Sequence, residues 1–288
     1  MDAPDTLPVF GPRCFLCGSP ELRLLSAGAG PKWRMCRHCG MVRQQDPPPP
    51  EVTQRQYGFA PLHGDSRPAS WDQQRPEPHH VFKFWIVGEA LAAHGLKGRL
   101  VDVGCGSGML QQYLKTLGWT DPVGIEPSGN PAGRERLGLE IYNEPVEDVL
   151  RRPRFAEGFD VAVAHHVIEH SYDPAGFLGH LRALLKPGGS AFIATPNVRG
   201  LSMRWKTLAS RLGWKGRPFR HLDYPKHVVL FHKDNLPGLV RASGFEILDV
   251  QTYTRASGNR ARRPRRFLLW DRLGLGDNMY VVARRPLP

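Results

Sequence analysis

The stretch Leu100-Val101-Asp102-Val103-Gly104-Cys105-Gly106-Ser107-Gly108 constrains this chain more than any other. An apolar strand that runs into three alternating glycines must turn sharply and lay bare its backbone. Leu100, Val101 and Val103 read as a central parallel strand buried on both faces, and the apolar, helix-compatible run Met109 to Leu117 follows at once. Strand, glycine turn and helix make the first half of a βαβ unit. The spacing is G-x-G-x-G, whereas a dinucleotide cradle wants its third glycine at position 109, where Met109 stands. A pyrophosphate would be out of register with this turn.

Acidic residues flank the turn. Asp102 precedes the first glycine by two residues, and Glu126 closes the next apolar strand, Pro122 to Glu126. This pair suits a sulfonium amino-acid nucleoside, which has no phosphate but offers a cationic amine to Asp102 and a ribose diol to Glu126. At these residues the chain resembles the class I S-adenosylmethionine-dependent methyltransferases. The resemblance covers about residues 81 to 254. It runs on in that family's order through Phe159-Asp160-Val161-Ala162-Val163, His166-Val167-Ile168-Glu169-His170, Leu185-Lys186-Pro187-Gly188-Gly189 and Thr195-Pro196-Asn197. It implies an α/β fold with a doubly wound, seven-stranded, mostly parallel Rossmann-like sheet. It also implies S-adenosylmethionine as cofactor, bound by Asp102, Gly104, Gly106, Gly108 and Glu126. By the same resemblance Val146 and Glu147 lie along the adenine edge, His165 is a further cofactor contact, and Tyr57 belongs to a segment that covers the cleft.

Four of the five cysteines fall in Cys14-x2-Cys17 and Cys36-x2-Cys39, the spacing of a zinc ribbon. Gly18 and Gly40 follow the two knuckles, where the backbone must reverse. Four thiolates would close a structural Zn2+ site with no open position for chemistry, and two disulfides are the alternative pairing. Cys105, inside the glycine turn, is expected only to pack. Four prolines, Pro47 to Pro50, mark a boundary. The expected organisation is therefore a zinc ribbon over 1–46, a Pro-rich linker and cofactor-covering segment over 47–80, and a methyltransferase domain over 81–288.

Within that domain, helices are expected at 81–94, at 174–185 (stopped by Pro187-Gly188-Gly189) and at 201–214, the last either an ordinary core helix or, as the resemblance implies, a lid on the acceptor pocket. Strands are expected at 99–104, 122–126, 139–143, 159–165, 190–195, 245–253 and 279–283. The regular βα alternation puts ligands at the carboxyl ends of the strands. The sequence shows no run of about 18 apolar residues, and the acidic, proline-broken start Met1-Asp2-Ala3-Pro4-Asp5 does not read as a signal peptide; no membrane partner and a cytoplasmic location are expected. The net charge is +12, half of it from six arginines between Arg255 and Arg266. That excess suits an anionic partner or a solvated loop.

Histidines gather where a methyl acceptor would lie: His165, His166 and His170 after the fourth strand of the domain, then His221, His227 and His232. His166-Val167-Ile168-Glu169-His170 resembles the E-x-x-E-H element that, with a later histidine, holds a divalent metal in ubiquinone-biosynthesis O-methyltransferases and small-RNA 2′-O-methyltransferases. Here His166 replaces the first glutamate, and His227 is the candidate for the distant ligand. His166, Glu169, His170 and His227 are thus the catalytic candidates. They would act as a second, divalent metal site, as a metal-free general base, or as a brace for the turn. The favoured reaction is methyl transfer to an oxygen, or to a carbon, of a small-molecule intermediate that is anionic or carrier-bound. The competing readings are an RNA methyltransferase using ribbon and arginines, and a non-enzymatic zinc-ribbon adaptor. No RNA-module signature supports the former, and the intact Asp102, Glu126 and three glycines argue against the latter.

Overall fold

The computed structural model describes residues 11–26, 31–50, 52, 78–128, 138–215, 219–254 and 269–288. Tyr57 and the Arg255–Arg266 stretch lie outside these residues. The chain opens with three short strands, β1 (Leu22–Leu24), β2 (Trp33–Cys36) and β3 (Val42–Gln44). Helix α1 (Pro78–Ala93) leads into β4 (Leu100–Val103), α2 (Met109–Thr116), β5 (Val123–Ile125) and β6 (Ile141–Tyr142). Two single-turn helices, α3 (Val146–Val149) and α4 (Pro153–Ala156), precede β7 (Phe159–His165), α5 (Pro174–Leu184) and β8 (Leu185–Pro196). Then come α6 (Leu201–Arg211), β9 (Val229–Leu230), α7 (Leu236–Ala242), β10 (Glu246–Tyr253), α8 (Leu269–Arg272) and β11 (Asn278–Arg284). Among the described residues no helix is long and apolar enough to cross a membrane.

The large sheet has seven strands in the order β10-β11-β8-β7-β4-β5-β6. Strands β4 to β8 pair in parallel, and β11 runs antiparallel to both of its neighbours. The expected doubly wound, mostly parallel sheet is therefore present. Alternation along the strands sorts the core onto two faces. Val101, Val103, Ala162, Ala164, Ala191 and Ile193 face α5 and α7, through Leu178, Leu181, Leu184, Leu236 and Val240. Leu100, Val161, Val163, Phe192 and Ala194 face α1 and α2, through Ile86, Val87, Leu91, Leu110 and Leu114. On α5, Leu178 is buried and Phe177 only partly so.

Helix α5 starts where its sequence dictates: the Asp173 carboxylate accepts from the Gly176 N–H at 2.9 Å, with Pro174 in the first turn. It ends at Leu184, and the following Lys186-Pro187-Gly188-Gly189 is not a loop outside the sheet. Leu185 already pairs with Phe159, and a register shift carries the chain to the Val161–Ser190 pair. The Gly188 N–H meets the Arg285 carbonyl at 2.9 Å, and the Arg285 N–H meets the Gly189 carbonyl at 2.8 Å. Proline at 187 disfavours helix at the residue before it, so the chain passes directly into strand.

The four-cysteine ribbon shares its sheet with the methyltransferase domain. The small sheet has the order β1-β2-β3-β9, in which β3 pairs antiparallel with β9 through Val42–Leu230 and Arg43–Val229. Leu25, Trp33 and Val42 of the ribbon pack against Phe219, Leu222 and Leu230. Gly40, which turns the second knuckle at φ +72°, lies so close to the Arg199 guanidinium and the His232 ring that a Cβ would stand 2.5 and 2.9 Å from them. Cysteine spacing marks the ribbon, but not a fourth strand contributed from far along the chain.

His232 is 1% exposed and bridges the two parts. Its Nε2 donates to the Cys39 carbonyl at 2.8 Å, and its Nδ1 accepts from the Asp234 N–H at 3.2 Å. That arrangement needs the neutral ring, and burial pushes its pKa down to about 4. His221, whose Nε2 lies 2.9 Å from the Thr207 hydroxyl, is likewise pushed down to about 4 by burial and by Lys206 and Lys215. The unfolded chain binds a proton at each near pH 6.5 while the folded chain does not until about pH 4. Stability should then be flat above about 6.5 and fall as pH drops towards 4. Denaturant midpoints at pH 7, 5.5 and 4.5 check this, and His221→Asn should flatten the decline by one proton's worth.

Candidate active site

Parallel pairing brings the carboxyl ends of β4, β5, β7 and β8 to one edge, where the glycine turn, Asp102 and Glu126 lie together. After Val103 the chain turns through Gly104 at φ +72°, where a Cβ would stand 2.5 Å from Val167. The Gly104 N–H meets the Ile125 carbonyl at 2.7 Å, closing the turn over β5. Gly106 and Gly108 also have positive φ, and Gly108 sits at the start of α2 with no side chain to cap it. The turn therefore presents backbone, not side chains, at the edge.

The Glu126 carboxylate braces this turn. One oxygen accepts from the Gly106 N–H at 2.9 Å; the other accepts from the Ser128 N–H at 3.1 Å and the Ser128 hydroxyl at 2.6 Å. Asp102 is 2% exposed, and its Oδ2 has no hydrogen-bond partner among the described residues. Burial, and then the neighbouring Glu126 carboxylate, push its carboxyl well above the usual carboxylate range. A buried, unsatisfied carboxylate oxygen calls for a cation or donor. The residues present thus fit the amine and ribose of S-adenosylmethionine. Cys105 packs against Leu139 and Ile141, as expected. Val146 is buried at the start of α3, whereas Glu147 is half-exposed and its carboxylate lies 3.9 Å from His180.

The second cluster follows β7. His165 ends the strand, with its ring 6.5 Å from Phe84 of α1 and 4.6 Å, edge-on, from His166. His166 has φ +59°, sparsely populated for any residue but glycine. Its Nδ1 lies 3.0 Å from Glu169 Oε1, and the Thr195 hydroxyl donates to Glu169 Oε2 at 2.9 Å. Glu169 has no exposed surface. Burial alone would raise its carboxyl, but the His166 hydrogen bond and the surrounding imidazoles hold it well below the usual range. Burial lowers the His166 pKa, so a neutral ring donates to an ionised Glu169.

His170 and His227 complete the cluster, with ring centres 5.0 Å apart. His170 Nδ1 lies 2.9 Å from the Lys226 carbonyl, which can only accept, so Nδ1 carries a proton and the neutral tautomer that fits is the one with its lone pair on Nε2. His227 Nδ1 is buried with no hydrogen-bond partner among the described residues, and burial pushes this ring down to about 4. One ligand atom each of Glu169, His170 and His227 lie within 4.8 Å of one another. His166 is not in that set: the ring expected to replace a glutamate ligand instead hydrogen-bonds Glu169. Thr195 was in view in the sequence as part of Thr195-Pro196-Asn197, but only the parallel pairing of β7 and β8 reveals its partner.

In the ribbon, the Sγ atoms of Cys14 and Cys39 are 3.6 Å apart, as are those of Cys17 and Cys36, and one Sγ from each of the four falls within 4.8 Å of the others. A disulfide needs about 2.05 Å, so none is formed. Four sulfurs at about 2.3 Å from one tetrahedral zinc would be about 3.8 Å apart, close to what is seen.

A glycine turn and two carboxylates at the carboxyl edge of this seven-stranded sheet define a class I S-adenosylmethionine-dependent methyltransferase. A family model described as a methyltransferase domain matches residues 78–250, well over half of the chain, which therefore belongs to that family. Among curated proteins, a ubiquinone biosynthesis O-methyltransferase of Paraburkholderia phymatum is 29% identical over 167 residues, 56% of this chain and 70% of that protein. One of Ruegeria pomeroyi is 34% identical over 157 residues, 52% of this chain and 61% of its own length, which is less than two thirds. Among solved structures, the [4+2]-cyclase SpnF shares the fold, with a TM-score of 0.51 at 19% identity over 84% of this chain and 97% of that one.

The purified chain should bind S-adenosylhomocysteine and not NAD. Glu126→Ala should weaken that binding by about 1.5 to 3 kcal/mol, the range for hydrogen bonds to a charged group. Calorimetry is the check, and unchanged affinity would remove Glu126 from the site.

Proposed function

We propose that this chain transfers the methyl group of S-adenosylmethionine to a hydroxyl oxygen of a small-molecule biosynthetic intermediate, with Glu169, His170 and His227 holding a divalent metal beside the acceptor. The observation that carries the reading is the convergence of one ionised carboxylate and two imidazoles within 4.8 Å, one of them with a buried, unpartnered Nδ1. The ubiquinone biosynthesis names of the relatives support oxygen over carbon and a small molecule over RNA.

When bound, the cofactor supplies an electrophilic methyl on a sulfonium, and the metal lowers the pKa of the acceptor hydroxyl. The chain's own residues do the rest. Asp102 fixes the amine end, Glu126 and the Gly104–Gly108 turn fix the nucleoside, and alignment of the in-line displacement supplies most of the rate. His166 and Thr195 hold both oxygens of Glu169, leaving it ionised and unable to swing. The Lys226 carbonyl fixes the His170 tautomer, so that Nε2 can ligate or accept the acceptor's proton. That tautomer also favours a second reading, in which His170 acts as a metal-free general base. In the ribbon, Cys14, Cys17, Cys36 and Cys39 hold one structural zinc.

Two measurements separate these readings. Turnover should fall at least tenfold on treatment with EDTA and return when Mg2+, Mn2+ or Zn2+ is added back; activity untouched by chelation would favour the metal-free base. His170→Ala and His227→Ala should each lower kcat with S-adenosylhomocysteine affinity unchanged, and undiminished turnover in both would defeat both readings. Metal analysis should find one zinc per chain, lost in the Cys14→Ser, Cys36→Ser double variant.

A further inference from the structure

We infer that Gln44 of the ribbon is a positioning residue for His227, so that the ribbon completes the acceptor site. This rests on the reading of His227 as a functional residue given above. Gln44 is the last residue of β3 and is 1% exposed. Its side-chain amide donates to the carbonyls of Pro225, at 3.0 Å, and of His227. Its backbone N–H donates to the Val228 carbonyl at 2.9 Å. The remaining carbonyl of this stretch, that of Lys226, faces His170 Nδ1, and the Val228 N–H donates to the Glu169 carbonyl at 2.8 Å. Residues 225–228 thus hang between the ribbon on one side and the Glu169–His170 turn on the other.

Buried backbone carbonyls must find donors, and this segment has no helix of its own to supply them. One glutamine supplies three. The orientation of its amide is settled chemically, because two carbonyls can be met only by the NH2 end. The ribbon grips the chain again just beyond β9, where the Cys39 carbonyl receives the His232 ring at 2.8 Å and the Asn235 amide at 3.3 Å. His227 lies at the first of these two grips. Its ring is held by the backbone it hangs from, its own polar contact being a long one, Nε2 to the Asp223 carboxylate at 3.7 Å. Moving that backbone moves the imidazole relative to Glu169 and His170.

The test uses the full chain with Gln44→Met, which keeps the volume and removes the donors, and Gln44→Glu, which keeps the shape and sets an acceptor against the two carbonyls. Hydrogen exchange of the amides of Val228 to Phe231 should speed up about tenfold in Gln44→Met, with β7 and α5 unchanged. Mn2+ affinity, read by electron paramagnetic resonance, should fall about tenfold, while S-adenosylhomocysteine affinity stays as it was, because Asp102 and Glu126 do not touch β3. Unchanged exchange and Mn2+ affinity in the folded variants would overturn the inference. If the unaltered protein binds no Mn2+, the metal reading fails, and exchange together with the His227 imidazole resonance decides the role of Gln44. If Gln44→Met does not fold, Gln44→Glu gives the same readouts, and a local change at 228–231 separates positioning from loss of the ribbon.

Discussion

Glu169 carries an ionised group into a place with no exposed surface, and the acceptor side of the molecule is arranged around keeping it there. A buried carboxylate is tolerated only when its oxygens are met by donors. Here one donor comes from the loop after β7, the His166 ring, and one from the neighbouring parallel strand, the Thr195 hydroxyl. The backbone carbonyl of the same residue holds Val228, and with it the segment that carries His227. Removing any partner leaves an uncompensated charge in a dry site, so the strand order, the strained φ of His166 and the ribbon contact are parts of a single arrangement.

Asp102, on the strand next to β7, presents the opposite solution. Its outer oxygen has no partner among the described residues and its carboxyl is pushed towards the protonated form. One buried acid is satisfied by the protein and the other is left for a ligand. This contrast separates what the two carboxylates can do, although one lies on β4 and the other just after the neighbouring β7.

The cofactor half of the site was legible because it is local. Strand, glycine turn and following acid lie within about 25 residues, and each residue type has one physical reason to be there. The large sheet could be read for the same reason, since period and breakers mark each βα unit. The acceptor half was less legible. His166 looked like a ligand by position, yet its Nδ1 lies 3.0 Å from Glu169 and the three grouped ligand atoms come from Glu169, His170 and His227. Gln44 offered no signal at all, because a glutamine ending a short strand is ordinary until the topology shows which carbonyls it meets. Contacts that depend on strand neighbours far apart in the chain leave no local pattern.

The pairing of β3 with β9 joins residues about 190 positions apart, and this bears on how the protein is made. The ribbon precedes the large sheet in the chain but cannot finish its own sheet until the chain has passed Leu230, which follows all five parallel strands of the large sheet. Until then the apolar side of Trp33 and Val42 has nothing from the later chain to cover it. Completion of the small sheet therefore waits on a segment that lies beyond the parallel strands of the large one.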